Sequence, residues 1–100
     1  MQILNLEKLK GFSADGFIKK ELAVTDNFKL LLICFEPGQA VPPCVMSRST
    51  AFYIVEGRGR VIEDGEETAM SAGMVIIVEA GLERQIKAET RLVVLAMQYC

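Results

Sequence analysis

The sequence predicts a single all-β domain whose short antiparallel strands close into a sandwich or a barrel. Helical periodicity is weak along the whole chain, and short apolar runs alternate with turn residues at near-regular spacing. We count about eight such runs, a number typical of β-sandwiches and small barrels. The 100 residues, 51% of them hydrophobic, suffice for one domain and exclude intrinsic disorder.

The first part of the chain predicts one turn of helix followed by two strands. Residues 4–9 carry leucines about three positions apart and end before Gly11, which limits a helix to a short N-terminal turn. Residues 16–24 alternate in part and lead into the turn residues 25–27. Residues 28–35 are apolar almost continuously, which predicts a strand covered on both faces.

The rest of the chain reads as strands separated by turns. Asp64-Gly65 between two β-rich segments is a strong signal for a two-residue hairpin. Pro42 and Pro43 mark a loop or an edge, because proline cannot donate to a central ladder. The predicted strands cover residues 44–56, 60–63, 66–70, 74–78, 84–87 and 92–97.

Two motifs framed by glycines occupy the second half of the chain. In the first motif, residues 38–57, Gly38 is followed by five residues and then by Cys44-Val45-Met46. Three residues separate Met46 from Thr50, and six residues separate Thr50 from Gly57. In the second motif, residues 73–88, Gly73 is followed by five residues and then by Glu79-Ala80-Gly81. Two residues separate Gly81 from Arg84, and three residues separate Arg84 from Ala88. This frame resembles the two motifs of the cupin family. The resemblance implies an antiparallel jelly-roll barrel over residues 1–100, with residues 1–15 as an N-terminal extension.

The residues inside the frame depart from the family pattern. Cys44, Met46, Thr50 and Arg84 stand where cupins usually carry the metal ligands His, His, Glu and His. The chain contains no His at all, which excludes the usual zinc sites, the two-His-one-carboxylate iron site and a His-activated nucleophile. The resemblance therefore implies the fold and argues against the usual metal site.

The same positions predict a ligand-binding pocket. Strand alternation places Cys44, Met46, Thr50 and Phe52 on one face, and the cupin frame makes that face the interior. The frame brings Arg84 to this interior from a facing strand. Its guanidinium suits the carboxylate or phosphate of a small anionic molecule.

Arg84 has a structural interpretation beside the functional one. It reaches solvent at the barrel mouth, or it forms an ion pair with Glu79, Glu83 or Glu56. Such a pair would compensate the cost of burying its charge.

Three functions from different classes remain open. The first is a non-catalytic ligand-binding or sensory protein without a cofactor. The second is a soft-metal protein in which Cys44 and Met46 bind an ion such as copper, with Met97 or Cys34 as a third ligand. Cys and Met are also ordinary core residues, which favours the first function. The third is a metal-free enzyme, or one with Cys44 as nucleophile. It is the weakest, so the sequence favours a protein that is not an enzyme.

Charge and composition exclude several partners. The net charge is −2 and no basic stripe is present, so we expect no nucleic acid. No apolar run approaches the roughly 20 residues of a membrane span, so we expect no membrane partner. Three cysteines form an odd, sparse set, and the N-terminus lacks a signal-peptide pattern, so we expect a cytoplasmic protein.

Several predicted strands are apolar on both faces, which predicts a homodimer. We expect its interface to bury Tyr53 or Val55 and alternate residues of the strand 74–78. In the alternative, the N-terminal segment folds back over the same face within one chain. That segment would contribute Ile3, Leu4, Leu6 and Phe12.

Overall fold

The computed structural model describes residues 1–99, which form one short helix and nine strands. The helix is far too short and polar to cross a membrane. The elements are α1 (Leu6–Leu9), β1 (Ile18–Val24), β2 (Phe28–Phe35), β3 (Cys44–Val45), β4 (Ser49–Glu56), β5 (Arg58–Glu63), β6 (Glu66–Ser71), β7 (Val75–Val78), β8 (Glu83–Ala88) and β9 (Leu92–Tyr99).

The strands form two antiparallel sheets that enclose the core. The first sheet has the order β1-β2-β9-β4-β7, and the second has the order β3-β8-β5-β6. Apart from the pairs β1-β2 and β5-β6, neighbours in each sheet are non-consecutive in sequence, as expected when a chain crosses repeatedly between two layers. The predicted all-β antiparallel class is confirmed.

One predicted strand is in fact two strands that belong to different sheets. β3 pairs with β8 in the four-stranded sheet, whereas β4 pairs with β7 and β9 in the five-stranded sheet. The chain crosses between the layers at residues 46–48, which lie outside any strand. The prediction of an unbroken strand 44–56 was wrong, because strand alternation cannot be counted through such a crossover.

The main core lies between the sheets. Both layers contribute, and its largest fully buried side chains include Phe35, Ile54 and Leu92. At the end of the core, Phe17 contacts Phe35 with 5.8 Å between ring centroids. Alternate residues of β2, β4 and β9 point into this core, and the others reach the outer face of the five-stranded sheet.

The N-terminal segment, residues 6–12, covers part of that outer face. Leu6, Leu9 and Phe12 pack against a second cluster of Leu32, Cys34 and Val93. This cover explains why β2 is apolar on both faces, as the sequence predicts. These hydrophobic residues of the N-terminal segment therefore add buried apolar area to a domain whose small size limits the area that its main core can bury.

Polar contacts fix the N-terminal segment. The Lys10 ammonium lies 2.9 Å from a Glu7 carboxylate oxygen and 3.0 Å from one of Glu56. Hydrogen bonds to Glu7 and Glu56, in that order, raise the pKa of Lys10 above its ordinary value. Lys20 donates a 2.6 Å hydrogen bond to the Leu9 carbonyl. The segment is thus tied to both β1 and β4.

Another part of the outer face remains exposed. We call Tyr53, Val75, Ile77 and Met97 the open patch; each is at least 40% exposed. They are continuous across the sheet, because Tyr53 lies opposite Val75, and Ala51 lies between Ile77 and Met97. The fold-back expected as an alternative to the dimer therefore covers Val55 but leaves the open patch uncovered.

Gly57 allows a backbone approach that no other residue permits. It has φ +85°, and a Cβ at this position would lie 1.8 Å from the Arg91 carbonyl oxygen. Gly59 does not have a positive φ. Gly59 is an ordinary residue of β5 that is kept small because a Cβ would lie 2.2 Å from the Lys87 carbonyl oxygen.

Candidate functional site: an interior pocket with a buried arginine

A pocket of about 110 Å³ lies between the two sheets. All five residues that the sequence assigns to a ligand-binding pocket line this cavity: Cys44, Met46, Thr50, Phe52 and Arg84. The structure thus brings them together, although Cys44 and Thr50 belong to opposite layers. They converge because β3 and β4 each turn one face inward on either side of the crossover.

Arg84 is the central polar residue of the pocket. Its side chain projects from β8 into the barrel, and the residue is only 3% exposed. Its Nη1 donates a 3.0 Å hydrogen bond to Thr50 Oγ1, and its Nη2 donates a 2.8 Å bond to the Glu79 carbonyl oxygen. Its Nε donates a 3.2 Å bond to the Leu82 carbonyl oxygen. The guanidinium is therefore held in one position.

None of these acceptors carries a negative charge. Glu79 contributes its backbone carbonyl and not its carboxylate, and no carboxylate of residues 1–99 lies within ion-pair distance of Arg84. This includes Glu63, the cross-strand neighbour of Arg84 on β5. A guanidinium has five N–H bonds, so two of them have no acceptor among the described residues. The ion pair expected as an alternative does not form.

The charges that line the pocket are all positive. Lys19 of β1 and Arg84 line it, whereas no Asp or Glu does. The remaining polar residues in its lining are Thr50, Gln85 and Gln98. Gln98 of β9 lies directly opposite Thr50 in the sheet register, so these two polar residues lie with Arg84 at one end of the pocket. This end of the pocket suits an anion.

Apolar side chains form the other walls. Phe52 comes from β4, Leu31 and Ile33 from β2, Ile86 from β8 and Phe17 from the segment before β1. Most of these belong to the main core, so the pocket is an unfilled part of that core. A ligand bound here would bury its apolar surface against these walls, and its polar group would contact Arg84.

Cys44 and Met46 are the sulfur-bearing residues among those lining the pocket. The Cα of Cys44 pairs with that of Arg84 across β3 and β8, and its thiol is free. Cys34 and Met97, which we considered as a third soft ligand, are not in the pocket. Cys34 lies under the N-terminal segment and Met97 in the open patch. Within residues 1–99, no three Cys, Asp or Glu side chains cluster as metal ligands.

Sequence reasoning missed several residues that line the pocket. Lys19 escaped notice because β1 alternates only in part, and its inward face carries charge. Gln98 was not identified as a pocket residue because we ended the last predicted strand at residue 97, whereas β9 continues to Tyr99. Extending the alternation of β9 by one residue pair would have found Gln98, which points the same way as Ala96.

Comparisons with known proteins identify the family and the fold. The family model described as the cupin domain matches residues 31–97. A Thermus thermophilus protein has a TM-score of 0.92 and 24% identity, with 99% of this chain and 97% of that one covered. An RmlC-like cupin from Desulfovibrio desulfuricans has a TM-score of 0.92 and 22% identity, with 99% and 96% covered.

A larger enzyme shares the fold over one of its parts. Salicylate 1,2-dioxygenase from Pseudoaminobacter salicylatoxidans, solved as adducts with gentisate, has a TM-score of 0.81 and 19% identity. The aligned region covers 94% of this chain and 28% of that one. The comparison with curated proteins finds no match. At these identities the structural likeness concerns the fold.

Proposed function

This chain belongs to the cupin domain family, and we propose that it binds a small carboxylate inside the barrel, with Arg84 as the anion-binding residue. The observation that carries the proposal is a guanidinium that is 3% exposed and has no carboxylate partner in residues 1–99. An uncompensated buried charge costs several kcal/mol. A bound carboxylate would offset that cost and accept the two remaining N–H bonds.

The walls and the size of the pocket define the rest of the ligand. Phe17, Ile33 and Phe52 provide apolar contact away from Arg84. A volume of about 110 Å³ is of the order of an engineered cavity of about 150 Å³ that binds benzene. We therefore infer a ligand with one carboxylate and an apolar body of about six carbon atoms. Hexanoate and benzoate have this composition.

The side chains at the family's ligand positions do not fit a divalent metal ion. Arg84 places a fixed positive charge there, and Thr50 Oγ1 already accepts a hydrogen bond from it. A metal cation would be repelled by the guanidinium and would find only a thiol and a thioether as strong ligands. A soft ion such as copper at Cys44 and Met46 stays an alternative, and it meets the same repulsion. The proposal therefore involves no metal.

The proposed role is binding or sensing, without turnover. Catalysis of acyl or proton transfer usually needs a positioned base whose pKa lies near neutrality. The chain has no His, and no Asp or Glu lines the pocket. Cys44 carries the thiol of the pocket, and no side chain that accepts a hydrogen bond from this thiol is found in residues 1–99. A binding protein needs none of these groups.

Isothermal titration calorimetry tests the proposal with matched ligands. Hexanoate and benzoate should bind, and the neutral amides hexanamide and benzamide should bind at least about tenfold more weakly, because charge-assisted bonds are stronger than neutral ones. Gentisate extends the series, since it is the compound in the related dioxygenase structure.

Two arginine variants complete the test. Arg84→Met should abolish carboxylate binding, and the milder Arg84→Lys should weaken it. Arg60→Met serves as control, because Arg60 lies at the surface and pairs with Glu67. Circular dichroism establishes that each variant is folded. Equal affinity for acids and amides, or full affinity in folded Arg84→Met, would overturn the proposal.

A further inference from the structure

We propose that the ligand is a dicarboxylate, whose second carboxylate binds Lys19. The inference rests on the proposed function, because it takes Arg84 as the site of the first carboxylate. Its starting point is the charge on the pocket walls. Two cations and no carboxylate line the cavity, in a chain whose net charge is −2. A single carboxylate would compensate only one of them.

Lys19 differs from the other charged residues of β1. Lys20 points to the outer face, where it donates a hydrogen bond to the Leu9 carbonyl. Glu21 forms an ion pair with Lys29 at 3.3 Å. Lys19 lines the pocket and forms no ion pair with a carboxylate of residues 1–99. Lys20 also lacks a carboxylate partner in residues 1–99, but among these three neighbours Lys19 is the one that lines the pocket.

The sheet register shows that the two cations approach the pocket from opposite sides. Lys19 lies opposite Ile33, Ile33 opposite Val94, and Val94 opposite Ile54, which is four residues beyond Thr50 on β4. At about 4.8 Å between strands and about 3.3 Å per residue, the backbones of Lys19 and Thr50 are about 20 Å apart along the sheet, and the curvature of the sheet makes the distance through the pocket shorter. Arg84 sits at the Thr50 end of this line.

This separation sets the length of the ligand. The four-carbon stem of Lys19 spans part of the distance, and the remainder requires two carboxylates joined by several methylene groups. A short diacid such as succinate would reach one cation only. We infer that diacids of about six to eight carbons, from adipate to suberate, bridge the two groups. The apolar walls of Phe17, Ile33 and Phe52 would contact the methylene chain.

Adipate and hexanoate provide the matched comparison, because they have the same number of carbons. Calorimetry at low salt should show adipate binding about threefold to fivefold more tightly than hexanoate, the effect of one solvent-exposed ion pair. Lys19→Met should remove this preference, so that adipate and hexanoate bind the variant with equal affinity. Lys87→Met removes the same charge from β8 on its outward side, so it should retain the preference.

The outcomes separate the two proposals. If hexanoate binds through Arg84 but adipate binds no more tightly, or if Lys19→Met keeps the preference, the dicarboxylate inference is wrong and the proposed function stands. If Lys87→Met reduces the preference as much as Lys19→Met, general charge attraction explains it and the inference is again wrong. If neither acid binds, the proposed function fails, and the inference fails with it.

Discussion

Arg84 donates a 3.0 Å hydrogen bond to Thr50, a residue 34 positions earlier in the chain and on the opposite sheet. Both residues are buried, with 3% and 1% exposure. The bond therefore connects the two layers at the polar end of the pocket. It also fixes the guanidinium before any ligand arrives, which lowers the entropic cost of binding.

Replacing Thr50 by Val should destabilise the protein and weaken carboxylate binding. Valine has nearly the same shape but no acceptor, so Arg84 would lose one buried hydrogen bond, at a cost of about 1–3 kcal/mol in the free energy of unfolding. Urea denaturation measures this change. Thr68→Val on the exposed strand β6 is the control and should alter stability by less than about 0.5 kcal/mol. Equal effects of the two changes would argue against a structural role of the Arg84–Thr50 bond.

Cys44 can report on the charge in the pocket. The Cα of Cys44 pairs with that of Arg84, so the positive guanidinium should attract the anionic reagent iodoacetate to the thiol. The ratio of the alkylation rate with iodoacetate to that with neutral iodoacetamide should therefore be higher in the wild type than in Arg84→Met. Peptide mass spectrometry resolves Cys44 from the other thiols. The rate ratio should be unchanged in Arg60→Met. A ratio that is the same with and without Arg84 would show that the guanidinium exerts no field at the thiol.

Gly57→Ala should be far more harmful than Gly81→Ala. Both glycines have nearly the same positive φ, but only Gly57 would place its new Cβ against a backbone carbonyl. Gly81→Ala should cost about 1–2 kcal/mol for the left-handed conformation alone. Gly57→Ala should cost clearly more, since the backbone must also move. Thermal unfolding of the two variants gives the comparison, and similar losses would contradict the close approach.

The open patch is the surface at which we propose that two copies associate. Tyr53, Val75, Ile77 and Met97 form a continuous exposed apolar area, and such areas are rare on monomers. Light scattering at micromolar concentration should give twice the chain mass of 11.0 kDa. Ile77→Lys should yield a folded monomer, whereas Glu67→Lys at the β5–β6 hairpin should remain dimeric. A wild-type mass of one chain would contradict this proposal.

The local patterns of the sequence predicted most of the strands. Residues 28–35 form β2 with the predicted bounds, and Asp64 and Gly65 both have positive φ, as a two-residue hairpin requires. The crossover at residues 46–48 was not predicted, because the polar residues Ser47 and Arg48 are also compatible with the solvent-facing part of a continuous strand. That Leu6 and Phe12 cover the outer face was one of two alternatives, beside a dimer. The apolar pattern shows that a face is buried, but it does not show whether the same chain or a second copy buries it.

The pocket could be predicted in part. The motif frame indicated Cys44, Thr50 and Arg84, because its fixed spacings bring positions on strands of both sheets to the same cavity. Sequence could not decide what Arg84 binds, since its acceptors include the backbone carbonyls of Leu82 and Glu79. Backbone groups are present at every position, so residue types do not reveal which of them meet a buried side chain.

The most direct test of the account observes the Arg84 guanidinium while a ligand is added. In ¹H–¹⁵N NMR spectra, the Nε–H signal of Arg84 is assigned by its loss in Arg84→Met. Titration with hexanoate should shift this signal saturably, with the dissociation constant found by calorimetry, and leave the signals of Arg58 and Arg60 in place. An Arg84 signal that stays unshifted at ligand saturation, or that moves only in step with those of the surface arginines, would contradict the claim that this residue binds the carboxylate.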